Sequence, residues 1–230
     1  MHKTTDPSIL YFGTPVVLIG TRNDDGSDNL APISSVFWLG WRAMIGISAL
    51  SKTTENLLRT GECVLNLPSV REAAAVNRLA LTTGSDPVPA SKLQKGYRHD
   101  SRKFETAGLT PRPADLVDAP LVAECPVQME TKLAAIHRVA DDQEVQRGRI
   151  LSLELRVIRV HLEEDILMDG HANRVDPDKW RPLIMSFQKF YGLGPQVHAS
   201  RLATIPEELY RTKDIVHALS ASVTPAGSPL

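Results

Sequence analysis

Short apolar runs separated by polar turns dominate the first part of the chain. Residues 16–21, 29–38, 43–48 and 63–68 each form such a run, and their length and content of β-branched residues predict strands. Asp24-Asp25-Gly26 lies between the first two runs and is a turn signal, because glycine tolerates the positive φ that tight hairpins need. The pattern predicts a β-domain that begins with a hairpin.

Two longer strands are predicted further along the chain. Residues 150–161 largely alternate apolar and polar side chains, which is typical of a strand with one buried face. Residues 121–137 also have strand character, but Pro126 within that run cannot donate a backbone hydrogen bond. We therefore expect an edge strand or a bulge around Pro126.

Helical spacing is limited to a few segments. A helical pattern follows Thr54, residues 70–81 predict an amphipathic helix, and residues 205–219 predict a helix entered through Pro206 and Glu207. Prolines and glycines interrupt residues 82–119, where only short helices at 91–95 and 101–107 fit. We expect this insertion to be either a functional lid or a surface excursion.

These elements predict a mainly β fold with helical insertions, arranged as a closed or partly closed antiparallel barrel. We expect one barrel domain over residues 1–200 with an insertion at about 82–119, followed at 201–230 by a C-terminal helix and a flexible tail. A doubly wound α/β fold fits poorly, since long helices do not alternate with the strands and no strand is followed by GxGxxG.

Composition narrows the function classes. The chain has 230 residues and is 42% hydrophobic, enough for a substantial core. Its 26 basic and 27 acidic residues form no long run of either sign, which argues against a nucleic-acid or membrane-surface partner. Without a bilayer-length apolar run or a signal-peptide core, we expect a soluble cytoplasmic protein.

Cysteine and histidine usage gives no metal motif. Cys63 and Cys125 lie in apolar runs without CxxC spacing, which predicts buried free thiols. The histidines are scattered and HExxH does not occur, so no metal site is expected.

The junction at residues 48–54 is a candidate anion site. Ser48, Ser51, Thr53 and Thr54 provide hydroxyl groups and Lys52 a positive charge directly before a helix. The first N–H groups of a helix have no partner within it, and the helix dipole places positive charge there, so a phosphate is favoured. The alternative is that Thr53 or Thr54 simply caps the helix.

Four motifs together resemble the flavin reductase-like family, which has an FMN-binding split β-barrel and includes flavoredoxin and reductase partners of two-component monooxygenases. They are NLAPISS at residues 29–35, SALSKTTENLLRTGECVLNLP at 48–68, ECPVQME at 124–130 and YGLG at 191–194. The resemblance implies a homodimer with FMN near the dimer interface, a possible partner monooxygenase or other electron acceptor, and hydride transfer from NAD(P)H to flavin N5.

The resemblance also implies the cofactor-binding residues. The first motif would line the isoalloxazine ring, with Ser34 or Ser35 near N5 and O4, and the second would bind the phosphate. Phe104 and Tyr191 could cover the ring, although a core or interface role suits each aromatic side chain better. The predicted FMN-binding residues are Asn29, Ala31, Pro32, Ser34, Ser35, Ser48, Ser51, Lys52, Thr53, Thr54, Phe104 and Tyr191.

One departure from the family pattern leaves the function open. Short flavin reductases usually carry Gly-Asp-His on a late strand, whereas the comparable residues 146–151 read QRGRIL. His137 and His161 lie nearby in the sequence but are expected to be ordinary strand histidines. Hydride transfer depends on orientation rather than on a titrating group, so no catalytic residue is assigned.

Three functions fit these observations. The first is an NAD(P)H-dependent flavin reductase. The second is a flavoenzyme that holds FMN tightly and acts on an organic substrate or oxygen, with residues 82–119 as a substrate lid. The third is a non-catalytic FMN-binding protein.

Overall fold

The computed structural model describes residues 1–221 of the chain. The strands are β1 Phe12–Pro15, β2 Val17–Arg22, β3 Asp28–Ile33, β4 Val36–Leu39, β5 Arg42–Ser48, β6 Glu62–Leu67, β7 Thr82–Thr83, β8 Arg98–His99, β9 Pro111–Pro113, β10 Pro120–Val122, β11 Val127–Arg138, β12 Ile150–Leu162, β13 Leu183–Ser186 and β14 Lys189–Gly192. The α-helices are α1 Lys52–Thr60, α2 Ala73–Arg78, α3 Ala90–Leu93, α4 Lys103–Ala107 and α5 Lys213–Ala221.

A seven-stranded antiparallel sheet forms the body of the molecule, in the order β3-β2-β6-β11-β12-β5-β4. Its two edge strands, β3 and β4, are consecutive in the chain and joined only by Ser34 and Ser35. Three residue steps reach about 11 Å at most, whereas the edges of a flat seven-stranded sheet would be about 29 Å apart. The sheet must therefore curl until its edges meet, which makes it a split barrel.

The seam at Ser34–Ser35 corrects one sequence prediction. Residues 29–38 were expected to be a single strand, but β3 pairs with β2 and β4 pairs with β5 at the opposite edge. The backbone carbonyl of Ser35 instead accepts a hydrogen bond from the Gly46 N–H at 2.8 Å. The chain changes partner at the two serines, so they lie where the barrel closes.

Alternating residues of the strands fill the barrel. The interior cluster contains Val17, Ile19, Val36, Ala43, Ile45, Ile47, Leu57, Cys63, Leu65, Leu67, Val127, Leu153, Leu155 and Ile166. The other face of β2 and β3 is also covered, because Leu18 and Leu30 pack against α2 and α4 in a second cluster with Val76, Leu79 and Phe104. Burial on both faces explains why β2 is apolar almost throughout. Cys63 and Cys125 are buried free thiols, as predicted.

Helix α1 begins at the predicted junction with a different cap. Ser51, rather than Thr53 or Thr54, is the N-cap, and its hydroxyl accepts a hydrogen bond from the Thr54 N–H at 3.0 Å. The helix ends at Gly61, whose φ of 71° is the left-handed conformation of a helix C-cap. Leu57 is fully buried in the barrel cluster.

Other boundaries differ from the predictions for identifiable reasons. The helix expected at 70–81 is a 3-10 turn Val70–Glu72 followed by α2, and a capping box of Ser69 and Glu72 fixes where this helical segment begins. Pro126 lies before β11, and β11 is a central strand between β6 and β12 rather than an edge strand. β11 does contain register irregularities, at Glu130/Thr131 and Leu133/Ala135.

The C-terminal region also differs from the predicted helix at 205–219. Glu207–Tyr210 is a 3-10 turn and α5 starts only at Lys213, where Arg42 holds Asp214 through two hydrogen bonds of 2.9 Å. The described residues end at Ala221, which still belongs to α5. The flexible tail expected beyond it lies outside the described residues. Within residues 1–221, no helix has the length and apolarity needed to cross a membrane.

The segment that follows α2 folds back over the start of α1. β7 and β8 pair in parallel, with Thr82 opposite Arg98, and α3 lies between them. Helix α4 then packs on α2 and β3. The short helices predicted at 91–95 and 101–107 are present as α3 and α4, each shorter than expected.

Candidate functional site

A pocket of about 180 Å³ lies where β3, the end of β5, the start of α1 and residues 79–84 meet. Six of the predicted cofactor-binding residues line it: Ala31, Pro32, Ser48, Ser51, Lys52 and Thr53. Its other wall includes Lys92, Tyr97 and Lys103 from the segment after α2. Ligand pockets usually occupy about 300–1,000 Å³, so this one can enclose only one end of a cofactor.

The start of α1 supplies hydrogen-bond donors to this pocket. Within the described residues, the backbone N–H groups of Lys52 and Thr53 have no acceptor, while the Thr54 N–H is bound by Ser51. Thr54 is fully buried, and its hydroxyl donates to the Ser48 carbonyl at 2.8 Å. Thr54 therefore shapes the turn and does not line the pocket, although the sequence grouped it with the phosphate ligands.

Asn29 supports the pocket from behind rather than lining it. It is 2% exposed, and its Nδ2 donates to Thr53 Oγ1 at 3.2 Å and to Thr21 Oγ1 at 3.0 Å. Because the amide holds the Thr53 hydroxyl, it fixes the first turn of α1 against β3. Among the predicted residues, Asn29 is thus a positioning residue for the pocket.

Gly84 allows the wall of residues 79–84 to approach α1 closely. A Cβ at this position would lie 2.7 Å from Asn29 Oδ1 and 3.2 Å from Lys52 Cβ. Both distances are shorter than an ordinary carbon contact. Only glycine fits without moving the wall or the Asn29 amide.

The three lysines that line the pocket differ in their partners. Lys52 Nζ bonds Glu55 at 2.7 Å and Asp24 at 3.3 Å, and the bond to Glu55 is the main cause of its raised pKa. Lys92 Nζ donates to the neutral hydroxyl of Thr83 at 2.9 Å, and burial lowers its pKa. Burial, with a smaller contribution from the nearby Lys92 charge, lowers the pKa of Lys103 to about 8.

Ser34 and Ser35 lie at the barrel seam, directly after Ile33 at the edge of the pocket. Ser35 Oγ is 3.3 Å from the hydroxyl of Tyr11, just before β1. The structure thus puts the predicted ring-facing serines next to the pocket along the chain, and four of the five predicted phosphate-facing residues within it, Thr54 being the exception.

Phe104 and Tyr191 are not brought to the pocket. Phe104 is 7% exposed and packs in the cluster with Leu18 and Leu79, which is the core role considered for it. Tyr191 is 54% exposed on β14, opposite Ile184 on β13. Their contact with a flavin remains a prediction, and neither residue lines the pocket.

Glu130, His161 and Asp115 form a separate cluster whose potential ligand atoms lie within 4.8 Å of one another. Glu130 is fully buried and accepts hydrogen bonds from the N–H groups of Asp115 and Leu116, with His161 Nε2 2.7 Å away. Burial alone would raise the pKa of Glu130, but these bonds outweigh burial and lower it. The Asp115 carboxylate pairs with Arg159. The cluster therefore fastens residues 115–116 to the barrel.

A larger, open cleft of about 550 Å³ lies between residues 170–174 and 203–208. None of the predicted site residues lines it, and Arg174 and Glu207 form an ion pair there at 2.8 Å. The smaller pocket is chemically more specific, because it combines free helix N–H groups, hydroxyls and lysines.

Sequence reasoning missed Lys92 and the wall at 79–84, and it gave Lys103 no role in anion binding. The segment from 82 to 107 reaches the pocket only through tertiary packing, and its lysines resemble any surface lysines in the sequence. One signal was available. Lys103 precedes Phe104 and Ala107, which are buried on the same helix, so the first turn of α4 had to face the protein.

Comparison with known proteins identifies relatives over most of the chain. The family model described as "Flavin reductase like domain" matches residues 9–193. The protein YdfE of Bacillus subtilis (strain 168), described as uncharacterized, is 35% identical over 195 residues, covering 85% of this chain and 91% of that protein.

Solved structures share the fold. Flavoredoxin of Desulfovibrio vulgaris (Miyazaki F) matches with a TM-score of 0.70 and 21% identity, covering 88% of this chain and 99% of that one. Nitrilotriacetate monooxygenase component B from Bacillus cereus matches with a TM-score of 0.65 and 21% identity, covering 84% and 89%. These likenesses confirm the predicted split-barrel architecture.

Proposed function

Because the chain belongs to the flavin reductase-like family, we propose that it is an FMN-binding oxidoreductase that uses NAD(P)H as its reductant. The observation that carries the proposal is the convergence of six family-matched residues on one pocket with unpaired helix N–H groups. These residues come from two separate stretches of the sequence, residues 31–32 in β3 and residues 48–53 at the junction of β5 with α1. Their meeting supports a shared ligand.

The donor set fits the phosphate end of FMN. Unpaired N–H groups of Lys52 and Thr53, the hydroxyl of Ser48, and the lysines would all donate to phosphate oxygens. The pocket is too small for the whole cofactor, so the isoalloxazine ring would extend along Pro32 and Ile33 towards Ser34 and Ser35 at the seam. In this orientation the motif at residues 29–35 would lie along the ring and the motif at residues 48–68 would hold the phosphate, as the family resemblance implies.

Bound FMN would supply the hydride chemistry, accepting a hydride at its N5 from the nicotinamide. The role of the chain is to hold the phosphate end and to orient the ring beside the seam, where Ser34 or Ser35 would donate to the ring. Such a reaction depends on stacking distance and orientation rather than on an acid or base. We assign no catalytic residue for this reason.

Association into a homodimer forms part of the proposal. Phe12, Phe37, Tyr191 and Leu193 are each more than 50% exposed. Exposed aromatic and aliphatic side chains of this kind are typical of protein interfaces. A second copy would bury them, and a monooxygenase component is the proposed acceptor of the reduced flavin.

Anaerobic titration tests the proposal. Purified protein mixed with FMN should lose the visible flavin absorbance when NADH or NADPH is added, at a rate well above that of the same mixture without protein. Binding of FMN without bleaching by either nucleotide would reject the reductase assignment. Failure to bind FMN would reject the flavin assignment itself.

A second function is favoured by the sequence at 146–151. These residues, which lead from an exposed turn into β12, contain no histidine where short flavin reductases have Gly-Asp-His. A flavoenzyme that keeps FMN tightly and acts on an organic substrate or oxygen would not need that histidine. FMN that stays with the protein through gel filtration, without turnover of free FMN, would favour this function.

A further inference from the structure

Lys103 is a buried cation that makes no direct ion pair, and the only negative charge that acts on it is that of the nearby Asp100 carboxylate, whose effect is smaller than that of burial. The residue is 4% exposed at the start of α4, and its ammonium group has no hydrogen-bond acceptor or ion-pair partner within residues 1–221. Burying an unpaired charge is costly, and burial lowers the pKa of Lys103 to about 8. Such a group is retained at a cost in stability that a bound anion would offset.

Lys92 adds a second uncompensated charge to the same pocket. Its only hydrogen-bond partner in the described part of the chain is the neutral Thr83 hydroxyl, and Tyr97 lies beneath its ammonium at 5.8 Å from the ring centre. Lys52, in contrast, is already neutralised by Asp24 and Glu55. Within the described residues, Lys92 and Lys103 are therefore the two pocket lysines without an ion pair, and both come from the segment after α2.

The charge of the pocket matches one class of phosphate. A terminal phosphate monoester carries about −1.5 to −2 at pH 7, because its second pKa is near 6. Each phosphate of a dinucleotide is a diester-type group with a single charge, and its chain must continue beyond the pocket. Gly84 packs against Lys52 and leaves little room between that wall and α1.

We propose that Lys92 and Lys103 clamp a terminal phosphate monoester against the start of α1, which makes the site selective for FMN over FAD. Residues 82–107 are then a phosphate clamp rather than a substrate lid. This inference rests on the proposed function for the identity of the ligand. The geometry of the pocket by itself supports the narrower proposal that the site binds a phosphate dianion.

Binding measurements on the full chain test the clamp. We compare wild type, Lys103→Met and Lys92→Met for FMN, FAD and riboflavin by flavin-fluorescence titration. Lys95→Met is the matched control, since Lys95 is exposed, follows the same short helix and does not line the pocket. Melting temperature and circular dichroism establish that each variant folds, and Lys103→Arg is measured as a charge-conserving variant.

The clamp predicts that wild type binds FMN at least 10-fold more tightly than FAD or riboflavin. Lys103→Met should weaken FMN binding by at least 30-fold and change riboflavin binding by less than twofold, while Lys95→Met leaves both unchanged. Equal affinity for FMN and FAD would overturn the selectivity. An equal loss of FMN and riboflavin binding in Lys103→Met would overturn the phosphate role.

Inorganic phosphate separates failure of the clamp from failure of the flavin assignment. A phosphate-dependent rise in melting temperature that Lys103→Met abolishes supports the clamp even if no flavin binds, and then only the flavin assignment fails. Unchanged FMN affinity in both lysine variants overturns the clamp while the flavin assignment stands.

Discussion

Asn29 Nδ2 donates a hydrogen bond to Thr53 Oγ1 over 3.2 Å, in a site where Asn29 is 2% exposed. The bond joins β3 to the first turn of α1, two elements that the sequence linked to opposite ends of one cofactor. Since a buried amide holds its partner in one position, the bond keeps the two motifs in a fixed relation.

Replacement of Asn29 by alanine should therefore weaken FMN binding about 10-fold, because the Thr53 hydroxyl and the adjoining N–H groups lose their support. Fluorescence titration measures the effect. Asn66→Ala is the matched control, since Asn66 is equally buried and bonds Leu18 and Val122 away from the pocket. If both variants reduce FMN affinity equally, the effect is general loss of stability and the positioning role is wrong.

Alanine at Gly84 should also lower FMN affinity, by at least 10-fold. The added methyl group would lie 2.7 Å from Asn29 Oδ1, so the wall at 79–84 must move away from α1. Gly194→Ala serves as the control, because a Cβ there meets nothing within 4 Å. Unaltered FMN binding in Gly84→Ala would show that the close approach is not required.

The FMN-free protein should respond to pH through Lys103. Its pKa is about 8 in the folded protein and its ordinary value is 10.5, so the unfolded chain binds more protons between these values. The free energy of unfolding therefore gains a favourable contribution from Lys103 as pH rises from 8 to 10.5, of about 3 kcal/mol at most.

Lys103→Met removes the buried charge, so the variant should be more stable than wild type at pH 7. Because wild type gains stability as Lys103 loses its proton, this difference in the free energy of unfolding should shrink steadily as pH approaches 10. Urea denaturation at several pH values measures the free energy of unfolding of both proteins. In the difference between variant and wild type, the titration of all other groups cancels. A difference that does not vary between pH 7 and 10 would contradict the burial of a charged Lys103.

Glu130→Gln should destabilise the protein by about 2 kcal/mol at pH 7. The carboxylate accepts bonds from the N–H groups of Asp115 and Leu116, and an amide would turn its NH₂ group towards one of these donors. The pKa of Glu130 is lowered in the folded state, so its contribution is present above about pH 4.5 and is lost as pH falls through the lowered pKa.

The Glu130→Gln effect should consequently become smaller in strong acid. Urea denaturation at pH 7 and at pH 3 tests this, with Glu144→Gln in the exposed loop before β12 as the control. A loss equal to that of Glu144→Gln would mean that the buried carboxylate does not hold residues 115–116.

The local pattern predicted most of the barrel, because its strands are marked by period-two burial and clear turns. It could not predict the break at Ser34–Ser35, which depends on the pairing of β4 with β5 across the seam. It also missed the β13–β14 hairpin. The turn there places Phe187 and Gln188 at φ values of 45° and 63°, where a sequence normally signals Asn-Gly.

Only part of the candidate site could be predicted, because a local sequence pattern does not reveal residues that are brought together by tertiary packing. Ser48, Ser51, Lys52 and Thr53 stand together in the sequence before a helix, so a local pattern reveals them. Lys92 and Lys103 reach the pocket through the packing of α4 on α2 and β3, which no local pattern encodes. Phe104 was predicted as a ring contact by residue type; it packs in the core from its position on α4, and its contact with a flavin stays a prediction.

The central claim is that the pocket at the start of α1 receives the phosphate end of FMN. Parallel titration of the wild-type protein with FMN and riboflavin tests it most directly, because the two flavins share the ring and differ only in the phosphate. We predict a micromolar or tighter Kd for FMN and at least 10-fold weaker binding of riboflavin. Equal affinities, or no binding of FMN at all, would contradict the claim.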